Sequence, residues 1–452
     1  MKKLKQLAVF TMLTICCALL TGCKYDDFLS ATEPCGSDAQ WTWNFETGEL
    51  AITGNGALDS CPWQLKYRDL IKSVTIGEGI TSIVDTSFTG CSNITSVTWN
   101  AKNCSINTNR NFFGRDSLIE SFVFGDKVEV IPTRLCANLN KLTEIIIPNS
   151  VKEIENRAFF QCKGLMKVTI GNNVRSIGVR AFSNCSSLQE IAIPNSVTTL
   201  GDTAFSYCTQ LTNVIIGDGV KEIGQCSFQG CNSLENVTIG SKVTTIKTKA
   251  FSACSKLKSI TIPDNVKKIS IGEYAFSGCS SLIGVPFTGS IGERAFRDCT
   301  GLTSMTITGS VGNRAFQNCT GLTHVTISTN LEAARWGEEV FLGCDNITSV
   351  VFEEGAYIIP DSVCYGMNRL TTVAFLGEID VIGSKAFANC ASLNSVTCTD
   401  SIPTYSPFVC EDAFDQGERK IENLYVPAGS EAAYARYSPW KNAFINILPI
   451  SE

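Results

Sequence analysis

The sequence predicts a β-rich solenoid, in which short coils stack along an axis and share one apolar core. Two observations carry this prediction: a marker phenylalanine recurs mostly every 23 residues, and a short segment of alternating apolar residues follows each marker. Apolar residues make up 44% and charged residues 18% of the 452-residue chain. This composition is that of an ordinary folded protein and excludes a disordered chain.

Aligning the chain with itself gives about fifteen repeats of 20–27 residues, such as RAFSNCSSLQEIAIPNSVTTLG and TAFSYCTQLTNVIIGDGVKEIG. The marker is phenylalanine in thirteen repeats and cysteine in two: Phe88, Phe113, Cys136, Phe159, Phe182, Phe205, Phe228, Phe251, Phe276, Phe296, Phe316, Phe341, Cys364, Phe387 and Phe414. Because one such unit cannot bury its own apolar face, the repeats are expected to form one cooperative domain over residues 73–427.

Each repeat contains two extended pieces. In the first, apolar residues alternate with polar ones, as at Ile191 and Ile193, which is typical of a strand with one buried face. The second is shorter, as around Val197. With a period of 20–29 residues, this spacing predicts a leucine-rich repeat solenoid. The two 20-residue repeats that end at Phe296 and Phe316 lack the second piece, so the coil should narrow or bend there.

Both open ends of the solenoid are expected to carry a cap, because a bare end would expose the apolar core. Residues 35–72 predict an N-terminal β-hairpin, since aromatic and polar residues alternate over residues 41–45 before a Thr-Gly turn. Residues 428–452 predict a C-terminal helical cap whose apolar side chains include Trp440.

The repeat and both caps together resemble a known family. The motif AFxxCxxLxxhxh, in which h is apolar, the opening segment CGSDAQWTWNFETGELAITGNGAL and the closing segment NLYVPAGSEAAYARYSPWKNAFINIL resemble the BspA-type leucine-rich repeat surface proteins. The resemblance covers essentially the whole mature chain. It implies a solenoid that acts as an adhesin and binds host matrix proteins or other cells.

The N-terminus predicts export and a lipid anchor. Residues 1–22 contain three lysines and then an apolar stretch too short to span a membrane, as in a signal peptide. The sequence LTGC that ends at Cys23 resembles the lipobox of bacterial lipoproteins, in which the cysteine is acylated. The alternative is ordinary cleavage nearby, which would leave Cys23 an unmodified thiol. In the first case the chain contacts the membrane through its lipid anchor only.

Residues 23–34 are expected to form an acidic tether behind the lipidated cysteine. The sequence KYDD at its start looks like the export tag of surface-exposed lipoproteins in some Gram-negative bacteria. The chain is therefore expected to be an outer membrane lipoprotein displayed on the cell surface. A merely solvated tether is the alternative.

Several classes of chemistry are excluded or disfavoured. The chain has one histidine, His324, so no site can use two imidazoles. No phosphate-binding loop and no CxxC pair occur, and the acids do not converge at a recurring position. A net charge of −6 excludes a general nucleic-acid binder. The sequence thus predicts no enzyme, no metal and no cofactor.

Most of the 22 cysteines follow the repeat. Eleven occupy one repeat position: Cys91, Cys162, Cys185, Cys208, Cys231, Cys254, Cys279, Cys299, Cys319, Cys344 and Cys390. Stacked coils place equivalent residues about 4.8 Å apart with parallel Cα–Cβ bonds, whereas a disulfide needs β-carbons about 3.8 Å apart. We expect a ladder of buried thiols. Cys35 and Cys61 flank the predicted hairpin and are the candidate disulfide, which an exported protein permits.

Candidate binding residues fall on the strand face and on one rim. About fifteen short strands should form a long, weakly charged face with a row of threonines. The alternative explanation for the row is that threonine is favoured on half-exposed strands whether or not they bind a ligand. A longer connector places a tryptophan beside an arginine, a typical hot spot if exposed; the alternative is that the ring tucks under the coil. These candidates are Thr238, Thr261, Thr306, His324, Thr326, Arg335 and Trp336.

The predicted function is that of a non-catalytic, adhesin-like protein that binds host matrix or neighbouring-cell proteins. One alternative is an accessory glycan-binding lipoprotein of a nutrient-uptake complex, which would need exposed aromatic side chains for sugar stacking. The candidates besides Trp336 are few: Tyr25, Tyr357, Tyr365 and Tyr425. Another alternative is an envelope scaffold.

Overall fold

The computed structural model describes residues 30–106, 110–114, 117–266, 268–286, 289–328, 335–401 and 408–450. Cys23 and the start of the predicted tether lie outside these residues. The chain divides into two compact units, one up to Leu188 and the other from Gln189.

The described residues of the first unit contain short strands and one helix, α1, at Trp63–Lys66. Its strands are β1 Ser30–Pro34, β2 Asp38–Asn44, β3 Glu49–Ala57, β4 Ser73–Ile76, β5 Gly79–Ser82, β6 Ser96–Trp99, β7 Ser121–Phe124, β8 Val130–Ile131, β9 Glu144–Ile146, β10 Glu153–Ile154, β11 Lys167–Thr169 and β12 Ser176–Ile177.

An antiparallel hairpin of β2 and β3 opens the first unit, with Trp41 opposite Ile52. β1, at the end of the segment assigned to the tether, adds a third antiparallel strand along β2. Trp41 is buried and meets Trp63 of α1 edge to face, with ring centroids 6.1 Å apart. The indole N–H of Trp63 donates to the Ser87 carbonyl at 2.8 Å.

The remaining strands of the first unit stack in parallel with equivalent residues in register. β3, β4, β6 and β7 form one such run, which aligns Val74 with Val97 and Phe122. β9 pairs with β11, and β8, β10 and β12 pair through their isoleucines. Stacked coils with a repeating sequence pair in this way, as the 23-residue period of the sequence predicts.

Where the structure describes the second unit, it contains eighteen strands and two short helices. They are β13 Glu190–Ile193, β14 Thr199–Leu200, β15 Asn213–Ile216, β16 Glu222–Ile223, β17 Asn236–Thr238, β18 Thr245–Ile246, β19 Ser259–Thr261, β20 Ser270–Ile271, β21 Ser304–Ile307, β22 His324–Ile327, β23 Ser349–Phe352, β24 Ile358–Ile359, β25 Thr372–Phe375, β26 Val381–Ile382, β27 Ser395–Cys398, β28 Phe408–Val409, β29 Ile421–Val426, α2 Glu431–Tyr434, α3 Ser438–Ala443 and β30 Phe444–Pro449.

The long strand face expected from the repeat count is interrupted in the second unit. β13, β15, β17 and β19 form one parallel sheet, and β21, β22, β23, β25, β27, β29 and β30 form another. Residues 282–286 between them adopt no strand. Gly284 supplies no side chain to pack and Pro286 no backbone N–H, and both weaken a strand. The expectation of one unbroken face is therefore wrong at this point.

We number the coils by their markers, so that Phe88 belongs to coil 1 and Phe414 to coil 15. A coil is the second extended piece before a marker, the turn that carries the marker, and the first strand after it. In the 20-residue repeats the second piece is reduced rather than lost, which corrects the expectation from the sequence. Single bridges join Ile271 to Ile291, Ile291 to Val311 and Val311 to Trp336.

The marker turns are joined from coil to coil by backbone hydrogen bonds. The N–H of Phe251 donates to the Ala275 carbonyl at 2.8 Å, and equivalent bonds recur along the second unit. Lys249 and Ala253, two residues either side, are left-handed with φ of 57° and 61°. This backbone region is costly for residues other than glycine. Their N–H groups also donate to the next coil, at 2.9 and 2.7 Å, which offsets that cost.

In coils 6 to 11 the marker rings form a parallel stack. Phe251 lies 5.3 Å from Phe228 and 5.4 Å from Phe276 between ring centroids, with the planes within 6°. All three rings are buried. The stack repeats at about the spacing of neighbouring β-strands, so the same geometry fixes both the backbone ladder and the aromatic core.

The C-terminal segment combines short helices with a final strand. Trp440 of α3 lies 5.3 Å from Phe414 and 5.5 Å from Tyr434 between ring centroids. β30 then pairs in parallel with β29. That this segment and the N-terminal hairpin act as caps remains a prediction.

We predict that Phe251→Ala lowers the free energy of unfolding by about 3–5 kcal/mol, because it removes a buried ring from a stack and leaves a cavity. Urea titration followed by circular dichroism measures the loss. Thr238→Ala, on an exposed strand position, is the matched control and should change stability by less than about 0.5 kcal/mol. Equal losses in the two variants would contradict the stacked core.

Candidate functional site

The larger strand face lies on the sheet from β21 to β30. Thr306 of β21 lies opposite Thr326 of β22, and the row continues through Val351, Ala374 and Thr397. These side chains are exposed or half-buried. Strands β21, β22, β23, β25 and β27 contain no acidic or basic residue other than the histidine that begins β22. The result is a flat surface of small, mostly uncharged side chains.

Thr238 and Thr261 belong to the smaller sheet. They lie opposite each other in β17 and β19, and both are exposed. The threonines singled out in the sequence thus form two in-register pairs on two sheets, with the strand-free residues 282–286 between the sheets.

His324 occupies an ordinary exposed position at the start of β22. Its cross-strand neighbours are Ser304 and Ser349. Its Nδ1 is 2.8 Å from the Thr323 hydroxyl oxygen. The side chain adds a polar group to the face.

Trp336 lies in the layer of second extended pieces, away from the threonine rows. It is half-buried and bridged to Val311, and its ring centroid is 6.1 Å from that of Phe341. Arg335 is exposed, and its backbone N–H donates to the Ser310 hydroxyl at 3.1 Å. Trp336 is therefore partly tucked against the coil and partly open to solvent. The structure does not bring it together with the threonines.

Beside Trp336 lies a cleft of about 700 Å³ between the turns of coils 12 and 13. Phe341, Tyr365 and Met367 line it together with Trp336. The lining also includes four acidic residues, Glu338, Glu339, Asp345 and Asp361, and no basic one. The sequence analysis missed this cleft, although its cause is visible in the sequence as a proline, Pro360.

The cysteine ladder is present as predicted, but its thiols also make polar contacts. The thiols of Cys231, Cys254 and Cys279 each lie 3.2–3.3 Å from the marker carbonyl of the preceding coil. A buried thiol thus serves as a small apolar side chain and as a weak donor. None of the nineteen cysteines in the described residues is in a disulfide.

Burial raises the pKa of these thiols. The pKa of Cys231 and that of Cys279 rise from 9.0 to about 12. Since the thiolate is the reactive form, Cys231 and Cys279 are protected from oxidation and exchange near neutral pH.

Cys35 and Cys61, the candidate pair, are both thiols in the structure. Burial, followed by the neighbouring Cys61, raises the pKa of Cys35 to about 11. The Cys61 sulfur is 2.9 Å from the Ser87 hydroxyl oxygen. The bridge between Cys35 and Cys61 remains a prediction for the exported protein.

Neither a metal site nor a spanning helix is found where the structure describes the chain. Within those ranges, no three His, Cys, Asp or Glu side chains are grouped to hold a metal ion. In the same ranges, no helix has the length and apolarity to cross a membrane.

The parallel coils, the 23-residue period and the strand faces define a leucine-rich repeat solenoid, which confirms the predicted fold class. The family profile described as "BspA type Leucine rich repeat region (6 copies)" matches residues 66–166, 153–283 and 289–418. These matches cover more than half of the chain. The chain belongs to the BspA-type leucine-rich repeat family.

Solved structures of proteins from several bacteria match the chain. A leucine-rich repeat protein from Bacteroides ovatus is 20% identical, with 93% of this chain and 100% of that one covered and a TM-score of 0.47. One from Eubacterium ventriosum is 22% identical, with 85% and 94% covered and a TM-score of 0.35. The pneumococcal vaccine antigen PcpA is 16% identical, with 93% and 99% covered and a TM-score of 0.39. No curated protein matches the sequence.

We predict that alkaline pH destabilises the protein through its buried thiols. Between pH 9 and 12 the unfolded chain loses thiol protons that the folded chain keeps, so the free energy of unfolding falls by about 1.4 kcal/mol per pH unit for each such thiol. Below pH 9 the thiols are neutral in both states and contribute no slope. Urea titrations from pH 8 to 11 measure the effect.

Cys231→Ala should reduce the fall of the free energy of unfolding with pH by the contribution of one thiol. The contributions of lysines and tyrosines are the same in the variant and in the parent protein. The variant also loses some stability at pH 8, but this constant loss does not affect the slope of the free energy of unfolding against pH. Identical slopes in the variant and the parent protein would show that the Cys231 pKa is not raised by folding.

Proposed function

We propose that the chain is a lipid-anchored, surface-displayed, adhesin-like protein that binds proteins of the host matrix or of neighbouring cells and performs no catalysis. The observation that carries the proposal is the exposed, nearly uncharged face of the sheet from β21 to β30. The family, whose repeat the chain carries over most of its length, supports it.

A broad strand face suits a protein partner better than a small molecule. Small-molecule sites are concave and bury most of their ligand, whereas protein interfaces are wide and have few charges at their centre. Seven strands about 4.8 Å apart span roughly 30 Å, which is long enough for several contacts with one protein partner. Small side chains such as Thr306 and Ala374 let a partner approach the backbone closely.

The glycan-binding alternative would need aromatic side chains that form one platform. Among the described residues named for that role, Tyr357 precedes β24, Tyr365 lies in a marker turn and Tyr425 lies in β29. Tyr357 and Tyr365 are exposed, and Tyr425 is half-buried. Trp336 and Tyr365 line one cleft, but Tyr357 and Tyr425 do not line it, so the four rings do not form one extended platform for a sugar chain.

We predict that Cys23→Ala abolishes the anchor. Acylation at this cysteine would hold the protein at the membrane through two or three acyl chains, a stable attachment. Radioactive palmitate should label the parent protein and not the variant, and protease added to intact cells should remove the parent protein from the surface. Cys61→Ala is the control that keeps the label. Labelling of the Cys23 variant would refute the anchor, and protection from protease would favour an inward-facing scaffold.

We predict that binding to a matrix protein requires the face from β21 to β30. The full chain would first be screened against immobilised matrix proteins at physiological salt, with a glycan array alongside. Thr306→Arg with Thr326→Arg places two bulky cations on the face and should weaken binding at least about tenfold. Thr238→Arg with Thr261→Arg makes the same change at an in-register pair on the smaller sheet and should not.

Circular dichroism checks that both double variants remain folded. Unchanged binding in the Thr306 and Thr326 variant would remove this face as the contact surface. Glycan binding alone would support the uptake alternative, and no binding in either screen would support the scaffold.

A further inference from the structure

The cleft between coils 12 and 13 is a local opening of the backbone ladder. Coil 12 carries Phe341 and coil 13 carries Cys364. On the strand side the two coils stay paired, with Val350 of β23 opposite Val373 of β25. At the marker turns the ladder is intact on both flanks: Phe316 donates to the carbonyl of residue 340, and Cys364 to that of residue 386, at 3.0 and 2.8 Å.

Between coils 12 and 13 these bonds are missing. The equivalent donors are the N–H groups of Glu339, Phe341 and Gly343. Within residues 335–401, all of which are described, none of the three donates to the backbone of coil 13. The coils therefore diverge from the strand side to the turn side, and the cleft fills the space between the turns.

Pro360 accounts for the opening. In the neighbouring coils 12 and 14, the residue after the second piece donates its N–H to the preceding coil: Gly337 donates to the Val311 carbonyl at 2.8 Å and Gly383 to the Ile359 carbonyl at 2.9 Å. In coil 13 this residue is Pro360, which has no N–H to offer the Trp336 carbonyl. The first bond of the turn is lost, and the turns of the two coils separate from that point.

The side chains of coil 13 leave the cleft open. Its marker is Cys364 in place of phenylalanine, and Met367 takes the position of the ladder cysteine. Coil 3 carries the same exchange, with Cys136 and Leu139 both fully buried. Met367 instead remains half-buried and lines the cleft. The aromatic stack thus ends at Phe341, and no ring from coil 13 covers it.

The lining has the chemistry of a cation site. Trp336 and Tyr365 present aromatic surface, and tryptophan is the strongest aromatic partner for a cation. Glu339 is neutralised by Arg314 at 2.6 Å, whereas Glu338, Asp345 and Asp361 form no ion pair among the described residues. Carboxylates beside an aromatic ring attract a Lys or Arg side chain, whose apolar stem can lie along the ring while its charge meets the acids.

We propose that this cleft binds a lysine or arginine side chain of the protein partner. The proposal deepens the proposed function and rests on it, because it names the chemistry of one partner contact. The cation lies over Trp336, against the carboxylates of Glu338 and Asp361. The strand face is broad but nearly uncharged, so it provides little selection between partners by charge. The acidic cleft would supply that selection.

The test uses the full-length lipoprotein in detergent and short peptides with one arginine or lysine flanked by glycines. Trp336 reports on the cleft, because the other five tryptophans are buried. We expect saturable quenching of tryptophan fluorescence by these peptides that weakens with added salt. Peptides with glutamate in the same position should not quench. Equal quenching by both kinds of peptide would overturn the proposal.

Three variants sharpen the test. Glu338→Gln with Asp361→Asn removes two charges and keeps the Asp361 oxygen that accepts the Ser384 N–H at 2.7 Å, and it should weaken binding at least about tenfold. Glu353→Gln with Glu354→Gln makes the same charge change just after β23, outside the cleft, and should bind as the parent protein does. Similar losses in both double variants would indicate attraction to net charge and contradict a site.

Pro360→Gly tests whether peptide binding depends on the shape of the cleft or only on its acidic side chains. The glycine restores the N–H that other coils use, so the ladder should close, Trp336 should become less accessible to acrylamide, and peptide binding should be lost although every acid remains. Undiminished peptide binding with a closed ladder would refute the cleft as the site. If this variant does not fold, the two charge variants decide.

The two proposals can fail independently. Peptide binding requires no knowledge of the natural partner, so its absence would refute the cleft site while matrix-protein binding through the strand face could still be observed. Peptide binding without any protein partner in the screen would leave the cleft site standing and refute the adhesin.

Discussion

The inter-coil backbone hydrogen bond is the interaction on which the rest of the structure depends. A coil of about 23 residues cannot bury its apolar face alone, and it gains a core only when a neighbour pairs with it at strand spacing. That spacing aligns the marker rings, buries the cysteines and makes left-handed residues such as Lys249 tolerable by pairing their N–H groups. A change at one backbone donor therefore alters packing, shape and surface together.

The cysteines show how one residue type meets several demands of this ladder. The ladder cysteines are buried, and several of their thiols donate to a marker carbonyl of the preceding coil, as Cys254 does to the Phe228 carbonyl at 3.2 Å. Serine would supply a stronger donor but lose apolar burial, and alanine would supply no donor. Where the marker is cysteine, the ladder position three residues later carries a larger side chain, Leu139 or Met367. The combined volume of the marker and the ladder side chain is therefore roughly the same as in the other coils.

The fold could be predicted from the sequence because repetition averages out local ambiguity. One segment such as β15 is short and undistinguished, but fifteen aligned copies reveal which positions are buried. Departures from the average were harder to foresee. The break at Gly284 and Pro286 and the bridges that retain Ile291 depend on individual backbone donors and spacings, which an alignment of apolar positions does not record. The candidate threonines and His324 lie in the strands that the repeat pattern predicts, whereas the position of Trp336 depends on where its connector rejoins the coil.

Pro360 illustrates why the interesting positions of a repeat protein are its irregular ones. In a uniform stack every backbone N–H group that can join a marker turn to the next coil does so, and the surface repeats from coil to coil as the sequence does. One missing N–H costs a hydrogen bond and part of the packing between coils 12 and 13, a cost that the intact strand pairing of β23 and β25 can bear. The result is a concave space lined by acidic and aromatic side chains, which differs from the flat face of the strands. A repeat protein can thus acquire specificity through a single residue that interrupts its own regularity.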